Sequence, residues 1–309
     1  MTEVVVSEQL AGTRDGITQL QRRWQPAAVP DGATDRGPAS GDAAPAGPAR
    51  SAVLLVHGIG EHSGRYDHVG RFLAARGHDV LAFDNRGHGQ SGGRRGHVDR
   101  FGQFLDDVED HVLERRQLGL PVVLVGHSLG GLISATYVVE GRPAPDLLVL
   151  SAPALKAQVP AWQRRLAPVL ARVWPTVFVP GGIDGALLSR DPEVQRAYLS
   201  DPLRVAGSTA GLGQQIFAAM ETTTANLTRI TLPTYVLHGS EDQLVPLAAS
   251  QPLEGRPNVT YRRWEGLRHE CFNEPNRDEV LGEMADWIED RLAGLPVSGE
   301  GSGRPGEQR

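Results

Sequence analysis

Ser128 has the sequence surroundings of a reactive nucleophile. An apolar run at 122–125 precedes it, and Gly126 and Gly130 flank it in a Gly-x-Ser-x-Gly pattern. The pattern predicts a strand, a sharp turn that exposes the serine oxygen, and a helix whose first N–H groups point at a developing oxyanion. Glycine on both sides lets the strand and the helix approach closely. These residues indicate acyl transfer through a serine; the alternative is an incidental serine in a strand-to-helix turn.

A serine hydroxyl needs a histidine base, and the histidine needs a carboxylate to orient it. With this type of turn the chain order is serine, acid, histidine, and the last two follow later strands. Asp242 lies in the turn after the predicted strand 234–238, with Glu241 as its competitor and an ordinary turn or capping aspartate as the alternative. His269 follows the last predicted strand, where the alternative is a surface-loop histidine. We predict that Ser128, Asp242 and His269 form a catalytic triad.

An acyl-transfer site also needs two N–H donors about 3 Å from the developing oxyanion. The residue after the nucleophile, Leu129, should supply one backbone N–H. The loop after the first core strand should supply the other, and we assign it to the backbone N–H of Ile59.

Alternating strand and helix signals surround these residues. Apolar runs predict strands at 52–56, 79–83, 121–125, 147–151, 234–238 and 259–264, and helical spacing predicts helices at 66–75, 101–118, 129–140 and 278–292. Near-continuous apolar strands alternating with helices predict an α/β fold with a mainly parallel sheet covered on both faces. The stretch 16–25 is predicted to be an antiparallel hairpin arm at the edge of the sheet.

The remaining stretches define the domain organisation. We divide the chain into N-terminal core strands (1–25), a flexible Pro/Ala/Gly-rich insertion (26–50), a first core half (51–152), a helical segment (153–229), a second core half (230–295) and a disordered tail (296–309). The segment 153–229 shows no clear strand, but helical spacing occurs at 161–174, 191–199 and 212–227. It would lie over the strand ends, where open α/β sheets bind ligands, so we predict that it is a cap.

The overall composition limits the cellular compartments and the binding partners that we expect for this protein. A chain of 309 residues with a formal charge of −6 suits one large α/β domain and argues against nucleic acid as a partner. The single cysteine, Cys271, excludes an intrachain disulfide and fits a reducing compartment. The sequence shows no signal-peptide pattern and no apolar run of the roughly 18 to 20 residues that a membrane span needs. We predict a cytoplasmic protein, with its oligomeric state left open.

Several longer motifs resemble the monoacylglycerol lipase family of α/β-hydrolases, a lysophospholipase-like group of the serine aminopeptidase S33 type. The motifs are the loops 57–66 and 84–92, the serine turn 126–131 and the cap stretches 188–191 and 198–203. The resemblance covers roughly 16–292 apart from the insertion. It implies an eight-stranded α/β-hydrolase fold that cleaves monoacylglycerol into fatty acid and glycerol through an acyl-enzyme on Ser128, with no cofactor and no metal.

The resemblance also implies a polar pocket for the glycerol group. Glu61 and Arg65 match polar positions beside the oxyanion loop, Tyr198 matches a cap tyrosine that faces the pocket, and His127 adjoins the nucleophile. The alternatives are a structural ion pair for Glu61 and Arg65 and ordinary cap packing for Tyr198. The predicted helix 161–174 carries apolar residues among arginines, which predicts transient contact with a membrane surface or, alternatively, packing on the core.

Other functions fit the same residues less completely. Within ester hydrolysis, the alternatives are a lysophospholipase and a broad-specificity carboxylesterase. A non-catalytic lipid-binding protein on the same fold is an alternative of another class. A metalloenzyme is disfavoured, because His57, Glu61 and His62 lack the His-Glu-x-x-His spacing that places two ligands on one helical face.

Overall fold

The computed structural model describes residues 3–27, 49–156 and 170–295. Within these ranges the strands are β1 (Val4–Gly12), β2 (Thr18–Pro26), β3 (Ala52–Val56), β4 (Asp79–Phe83), β5 (Val122–His127), β6 (Leu147–Ser151), β7 (Phe178–Pro180), β8 (Gly207–Thr209), β9 (Thr234–Gly239) and β10 (Val259–Trp264). Eight of them form one sheet in the order β1-β2-β4-β3-β5-β6-β9-β10. The β1-β2 and β2-β4 pairs are antiparallel and the other neighbours are parallel, which confirms the predicted α/β class.

Helices cover both faces of this sheet. The helices of the described ranges include α1 (Asp67–Ala75), α2 (Gly102–Arg116), α3 (Leu129–Val139), α5 (Ala210–Ala225) and α6 (Arg277–Ala293), and also α4 (Pro192–Ser200), which belongs to the segment 153–229. Alternate residues of β3 belong to different apolar clusters: Leu54 and Val56 pack with residues of α2, α3 and α5, whereas Val53 and Leu55 pack with residues of α1 and α6. All five residues of β3 are therefore buried, which explains its continuous apolar sequence.

Two parts of the fold differ from the sequence predictions. The hairpin arm begins at Val4, because β1 pairs with β2 along its whole length. Most residues of β1 are exposed, so this strand lacks the apolar alternation that would have revealed it. The segment 153–229 contains the short antiparallel pair β7 and β8, although no strand was predicted there. A three-residue strand is too short to show a periodic pattern.

Some predictions fall on residues outside the described ranges. The flexible insertion lies almost wholly in 28–48, the tail in 296–309, and most of the predicted helix 161–174 in 157–169. The other predicted helices and strands are present, with ends that differ by a few residues. Across the ranges that the structure describes, no helix has the length and hydropathy to cross a bilayer.

The sheet order brings four loops of interest together. β5, β9 and β10 are parallel and run in the same half of the sheet, and the loops after them carry Ser128, Asp242 and His269. β3 is the neighbour of β5 on the side away from β9 and β10, so the loop after β3 approaches Ser128 from that side. All four loops leave the carboxyl edge, where open α/β sheets bind ligands.

Candidate active site

Ser128 occupies a strained turn between β5 and α3. Its φ is 53° and its ψ is −115°, a backbone conformation that residues with side chains rarely adopt. A Cβ on Gly126 would overlap the Gly130 carbonyl oxygen, and a Cβ on Gly130 would overlap the Val56 carbonyl oxygen. The turn therefore requires both glycines, as the sequence pattern predicted.

Ser128, His269 and Asp242 form one chain of hydrogen bonds. His269 Nε2 lies 2.9 Å from Ser128 Oγ, and His269 Nδ1 lies 2.7 Å from Asp242 Oδ2. A carboxylate oxygen only accepts, so Nδ1 carries the proton and Nε2 offers its lone pair to the serine hydroxyl. Glu241, the competing acid, is exposed. Asp242 is thus the carboxylate that His269 contacts.

The pairing of His269 with Asp242 determines the charge of both groups. Burial alone would raise the pKa of Asp242, but the charge of His269 and hydrogen bonds from His238 and His269 hold that pKa well below its usual range. Burial alone would lower the pKa of His269, but the Asp242 carboxylate outweighs burial and raises it above 6.5. An imidazole with a raised pKa that faces a hydroxyl is suited to general-base work near neutral pH.

The loop after β3 is held rigid by its own side chains. His57 Nδ1 donates to the Gly58 carbonyl oxygen at 2.7 Å, and its Nε2 accepts the Asn85 N–H at 2.8 Å. Burial lowers the pKa of His57 to about 4, so the ring is neutral. Glu61 Oε1 accepts the Gly58 N–H at 2.5 Å and the Tyr66 hydroxyl at 2.6 Å. The backbone of this loop is therefore fixed from both sides.

The two backbone donors that the sequence analysis assigned to the oxyanion have no acceptor among the described residues. Neither the Ile59 N–H nor the Leu129 N–H donates a hydrogen bond there. The loop lies against the nucleophile, because a Cβ on Gly58 would be 3.2 Å from Ser128 Cβ. Fixed, unpaired N–H groups beside a nucleophile are the donor type that an oxyanion requires. Their role toward an oxyanion stays a prediction.

Arg65 joins the loop 57–66 after β3, called the oxyanion loop for its predicted role, to the loop after β10 that carries His269. Its guanidinium donates to both oxygens of Glu270, at 2.5 and 2.8 Å, and to Glu61 Oε2 at 2.7 Å. All three side chains are largely buried. Burial would raise the pKa of Glu270, but Arg65 outweighs burial and lowers it. The structural ion pair that the sequence analysis kept open is present, and substrate contact by Glu61 and Arg65 stays a prediction.

Glu270 is a site residue that the sequence analysis missed. Its partner Arg65 is 205 positions away, and no local pattern links two residues so far apart. The one available signal was its place directly after His269, in a loop already predicted to carry chemistry. Its carboxylate also accepts the side-chain amide of Asn273 at 2.8 Å.

His127 and Tyr198 border the same region. The His127 ring packs against His269 with centroids 4.8 Å apart, and burial together with the charge of His269 lowers the pKa of His127 to about 4. Tyr198, in α4, is buried against the guanidinium groups of Arg65 and Arg204, which lie 5.0 and 4.9 Å from its ring centroid. Both residues are thus close to the serine loop or the oxyanion loop, and their contact with substrate stays a prediction.

An apolar cavity of about 490 Å³ borders the oxyanion loop. Ile59 and Gly60 line part of it, and residues of β7, β8, α4 and α5 complete its wall, among them Val179, Tyr198 and Phe217. A cavity with mostly hydrocarbon walls suits an alkyl or acyl chain.

The fold and the site together define an α/β-hydrolase. The serine lies in a strained strand-to-helix turn, the acid and the histidine follow later strands, and the sheet has the order given above. Residues 47–276 match the family model described as serine aminopeptidase, S33, and the chain belongs to this hydrolase family. The family resemblance predicted from the motifs is confirmed.

The relatives agree with this classification. The chain is 36% identical to a monoacylglycerol lipase of Mycolicibacterium smegmatis over 251 residues, which cover 79% of this chain and 89% of that protein. It is 34% identical to the monoglyceride lipase of Homo sapiens over 261 residues, 81% of this chain and 86% of that protein. The crystal structure of Paleococcus ferrophilus monoacylglycerol lipase aligns with a TM-score of 0.73 and 34% identity, covering 79% and 96% of the two chains. The chain is a carboxylic ester hydrolase, as predicted.

Proposed function

We propose that the protein hydrolyses monoacylglycerols to a fatty acid and glycerol, with Ser128, His269 and Asp242 as its catalytic triad. The observation that carries the proposal is the continuous hydrogen-bond chain from Asp242 through His269 to Ser128 Oγ. The names of the similar proteins supply the substrate class, since monoacylglycerol lipases are among the relatives that match most of the chain.

In the proposed first half-reaction, Ser128 Oγ attacks the ester carbonyl carbon while His269 Nε2 takes its proton. The Ile59 and Leu129 N–H groups then stabilise the oxyanion of the tetrahedral intermediate. The imidazolium, paired with Asp242, donates its proton to the glycerol oxygen as the C–O bond breaks. Glycerol leaves and an acyl-serine remains.

In the second half-reaction, His269 takes a proton from water as the water oxygen attacks the acyl-serine carbonyl. The second tetrahedral intermediate uses the same two N–H donors. His269 then returns the proton to Ser128 Oγ, and the fatty acid leaves. Neither half-reaction needs a cofactor.

The surroundings of the serine suggest where each part of the substrate binds. The acyl chain would occupy the 490 Å³ apolar cavity that borders Ile59 and Gly60. The glycerol hydroxyls would face the polar groups predicted from the sequence, Glu61, Arg65, His127 and Tyr198. At roughly 30 Å³ for each methylene, comparable with a water molecule, the cavity would hold on the order of sixteen of them.

We also propose that the segment 153–229 acts as a cap over this site. Three contacts support it: the Val205 N–H donates to the Gly60 carbonyl oxygen at 3.0 Å, His62 Nε2 lies 2.8 Å from Asp201 Oδ2, and Tyr198 lines the cavity beside Gly60. The segment thus contacts the oxyanion loop directly.

The same segment is the proposed point of membrane contact for a cytoplasmic enzyme. Trp174 is 65% exposed and Phe178 42% exposed, and three valines near them are exposed as well: Val173, Val177 and Val179. Val179 also lines the cavity, so the exposed apolar side chains continue into the proposed acyl site. A lipid surface could receive such residues and deliver its lipids to the cavity.

A substrate panel tests the proposed function. We expect hydrolysis of 1- or 2-monoacylglycerol to exceed that of lysophospholipid and diacylglycerol, and Ser128→Ala to lose at least about 10⁴-fold in kcat. Ser134→Ala is the matched control, because Ser134 is a buried serine in α3.

Each arm of the panel has an outcome that contradicts the proposal. Preference for lysophospholipid or for simple esters would contradict the substrate. Full activity in Ser128→Ala would contradict the mechanism.

A further inference from the structure

Asp242 is contacted by a second histidine, which the mechanism above does not use. His238, in β9, lies with its Nε2 3.1 Å from Asp242 Oδ2, the same oxygen that accepts the His269 Nδ1–H at 2.7 Å. The side chains of His238 and Asp242 are both fully buried. The other carboxylate oxygen, Oδ1, accepts the backbone N–H groups of Leu244 and Val245 at 2.9 and 3.0 Å.

The surroundings of His238 require a proton on Nε2. Nε2 lies between two groups that only accept, Asp242 Oδ2 and the Val245 carbonyl oxygen at 3.0 Å, so Nε2 must carry a proton and donate it. Nδ1 lies 2.7 Å from Ser250 Oγ. A serine hydroxyl can donate or accept, so the Ser250 hydroxyl can donate to the lone pair of an unprotonated His238 Nδ1.

The hydrogen-bond chain continues beyond His238. Ser250 Oγ lies 2.7 Å from the Tyr261 hydroxyl, on β10, so Tyr261 can donate to Ser250 while Ser250 donates to His238. Ser250 Oγ has a second, longer acceptor in the Leu247 carbonyl oxygen at 3.3 Å. When Ser250 donates to the nearer His238 Nδ1, the chain Tyr261–Ser250–His238–Asp242 points every proton toward the carboxylate. Hydrogen bonds aligned in one direction polarise one another inside a protein. His238 is therefore a polarised donor to the same oxygen that His269 uses.

We propose that His238 is a positioning residue for the catalytic acid, held in its donor tautomer by Ser250 and Tyr261. The inference rests on the proposed function of the triad. With two donors on each oxygen, the Asp242 carboxylate cannot rotate away from His269. His238 also withdraws negative charge from Oδ2, which limits how far Asp242 raises the basicity of His269.

The titratable groups around this unit include the Cys271 thiol, whose pKa is raised by burial and by the Asp242 charge, so it stays uncharged. His269 faces the Asp242 carboxylate, packs against the neutral His127 ring, and feels the charges of Glu61 and Glu270. Among the described residues, His238 faces the Asp242 carboxylate directly and the Tyr261 hydroxyl through Ser250. Loss of the His238 donor should therefore act on His269 through Asp242.

Two substitutions of His238 by amide side chains of similar size distinguish a role in positioning Asp242 from a purely structural role. The His238→Gln side chain can place an amide N–H where Nε2 lies, whereas His238→Asn reaches only the Nδ1 position and cannot donate to Asp242. We expect His238→Asn to lower kcat/KM about tenfold to hundredfold, the range for losing a hydrogen bond to a charged group. His238→Gln should recover most of that loss.

The pH dependence of kcat/KM gives the readout that a structural role would not move. The acid limb of the wild-type profile reports His269, whose pKa is raised above 6.5. Without the His238 donor, Asp242 holds the imidazolium more tightly. The acid limb of His238→Asn should move to higher pH by about half a unit to one unit, and that of His238→Gln should stay near the wild-type position.

Rates are measured per active site, titrated with a fluorophosphonate, on a p-nitrophenyl ester. An unchanged acid limb in His238→Asn would overturn the proposal, whatever the value of kcat/KM per titrated site. If His238→Asn gives no titratable protein, Ser250→Ala takes its place, with a smaller shift expected in the same direction and an unmoved limb overturning the inference. An inactive, unlabelled wild type would instead refute the proposed function.

Discussion

Gly213 should control the length of the acyl chain that the enzyme accepts. It lies in the interior of α5 and lines the apolar cavity. A Cβ built on Gly213 has Ser208 Oγ as its nearest neighbour, at 4.0 Å. A larger side chain can therefore enter the cavity without displacing the backbone, and it would occupy space that we assign to the acyl chain.

The size of the effect follows from the volume that is lost. The Gly213→Leu side chain brings four carbons into the cavity, so a long acyl chain should lose the burial of about four methylene groups. At about 0.8 kcal/mol each, the loss is about 3 kcal/mol, or about a hundredfold in kcat/KM. A chain of eight carbons would fill about half of the cavity and should lose little.

Replacing the same glycine with alanine should stabilise the fold. An interior helix glycine costs about 1 kcal/mol relative to alanine, so Gly213→Ala should raise the Tm of this 309-residue chain by about 1–2 °C. Gly282→Ala is the matched control, because Gly282 lies inside α6 and a Cβ there meets nothing within 4 Å. It should raise Tm equally and leave chain-length preference unchanged.

The assay is kcat/KM for a series of monoacylglycerols from eight to eighteen carbons, with Tm measured on the same samples. We expect Gly213→Leu to shift the preference toward short chains. A ratio of long-chain to short-chain kcat/KM that stays at the wild-type value in Gly213→Leu would refute the placement of the acyl chain in this cavity. An equal shift in Gly282→Ala would show that the effect comes from helix stability and not from the cavity.

Two further predictions test the loops and the surface. Arg65→Met leaves Glu61 and Glu270 buried without their cation, so the free energy of unfolding, measured in denaturant, should fall by about 3–5 kcal/mol. The control Arg71→Met breaks an exposed pair with Asp67 and should lower it by less than about 1 kcal/mol. Equal losses in the two variants would contradict the importance of burial. The double change Trp174→Ser, Phe178→Ser should reduce co-sedimentation with phosphatidylcholine vesicles severalfold, whereas Val5→Ser, Leu10→Ser, which changes exposed apolar residues of β1, should not. Binding that is unaffected by the first pair would remove the membrane proposal.

The chain order of Ser128, Asp242 and His269 and their places after strands could be predicted, because short-range sequence patterns mark the turn and the strands. Gly126 and Gly130 are required by close backbone approach, so the turn around Ser128 has a fixed sequence signature. Asp242 and His269 were identified by strand order, which apolar runs reveal well in a buried parallel sheet. The structure brings these three residues within hydrogen-bond distance.

The supporting contacts could not be predicted, since they join residues far apart in the chain. Arg65 and Glu270 are 205 positions apart, and neither carries a pattern that names the other. The sequence predicts only that His238 ends an apolar strand, whereas in the structure its ring contacts the Asp242 carboxylate. The cavity wall combines residues from β7, β8 and α5, and strands as short as β7 leave no periodic signal.

The location of a fluorophosphonate adduct on the folded protein tests the role of Ser128 as the nucleophile most directly. We expect one adduct per chain, on the peptide that contains Ser128, with labelling lost in Ser128→Ala and retained in Ser134→Ala. We also expect the loss of monoacylglycerol hydrolysis to follow the labelled fraction. An adduct on another residue, or hydrolysis that persists after Ser128 is fully labelled, would contradict the central claim.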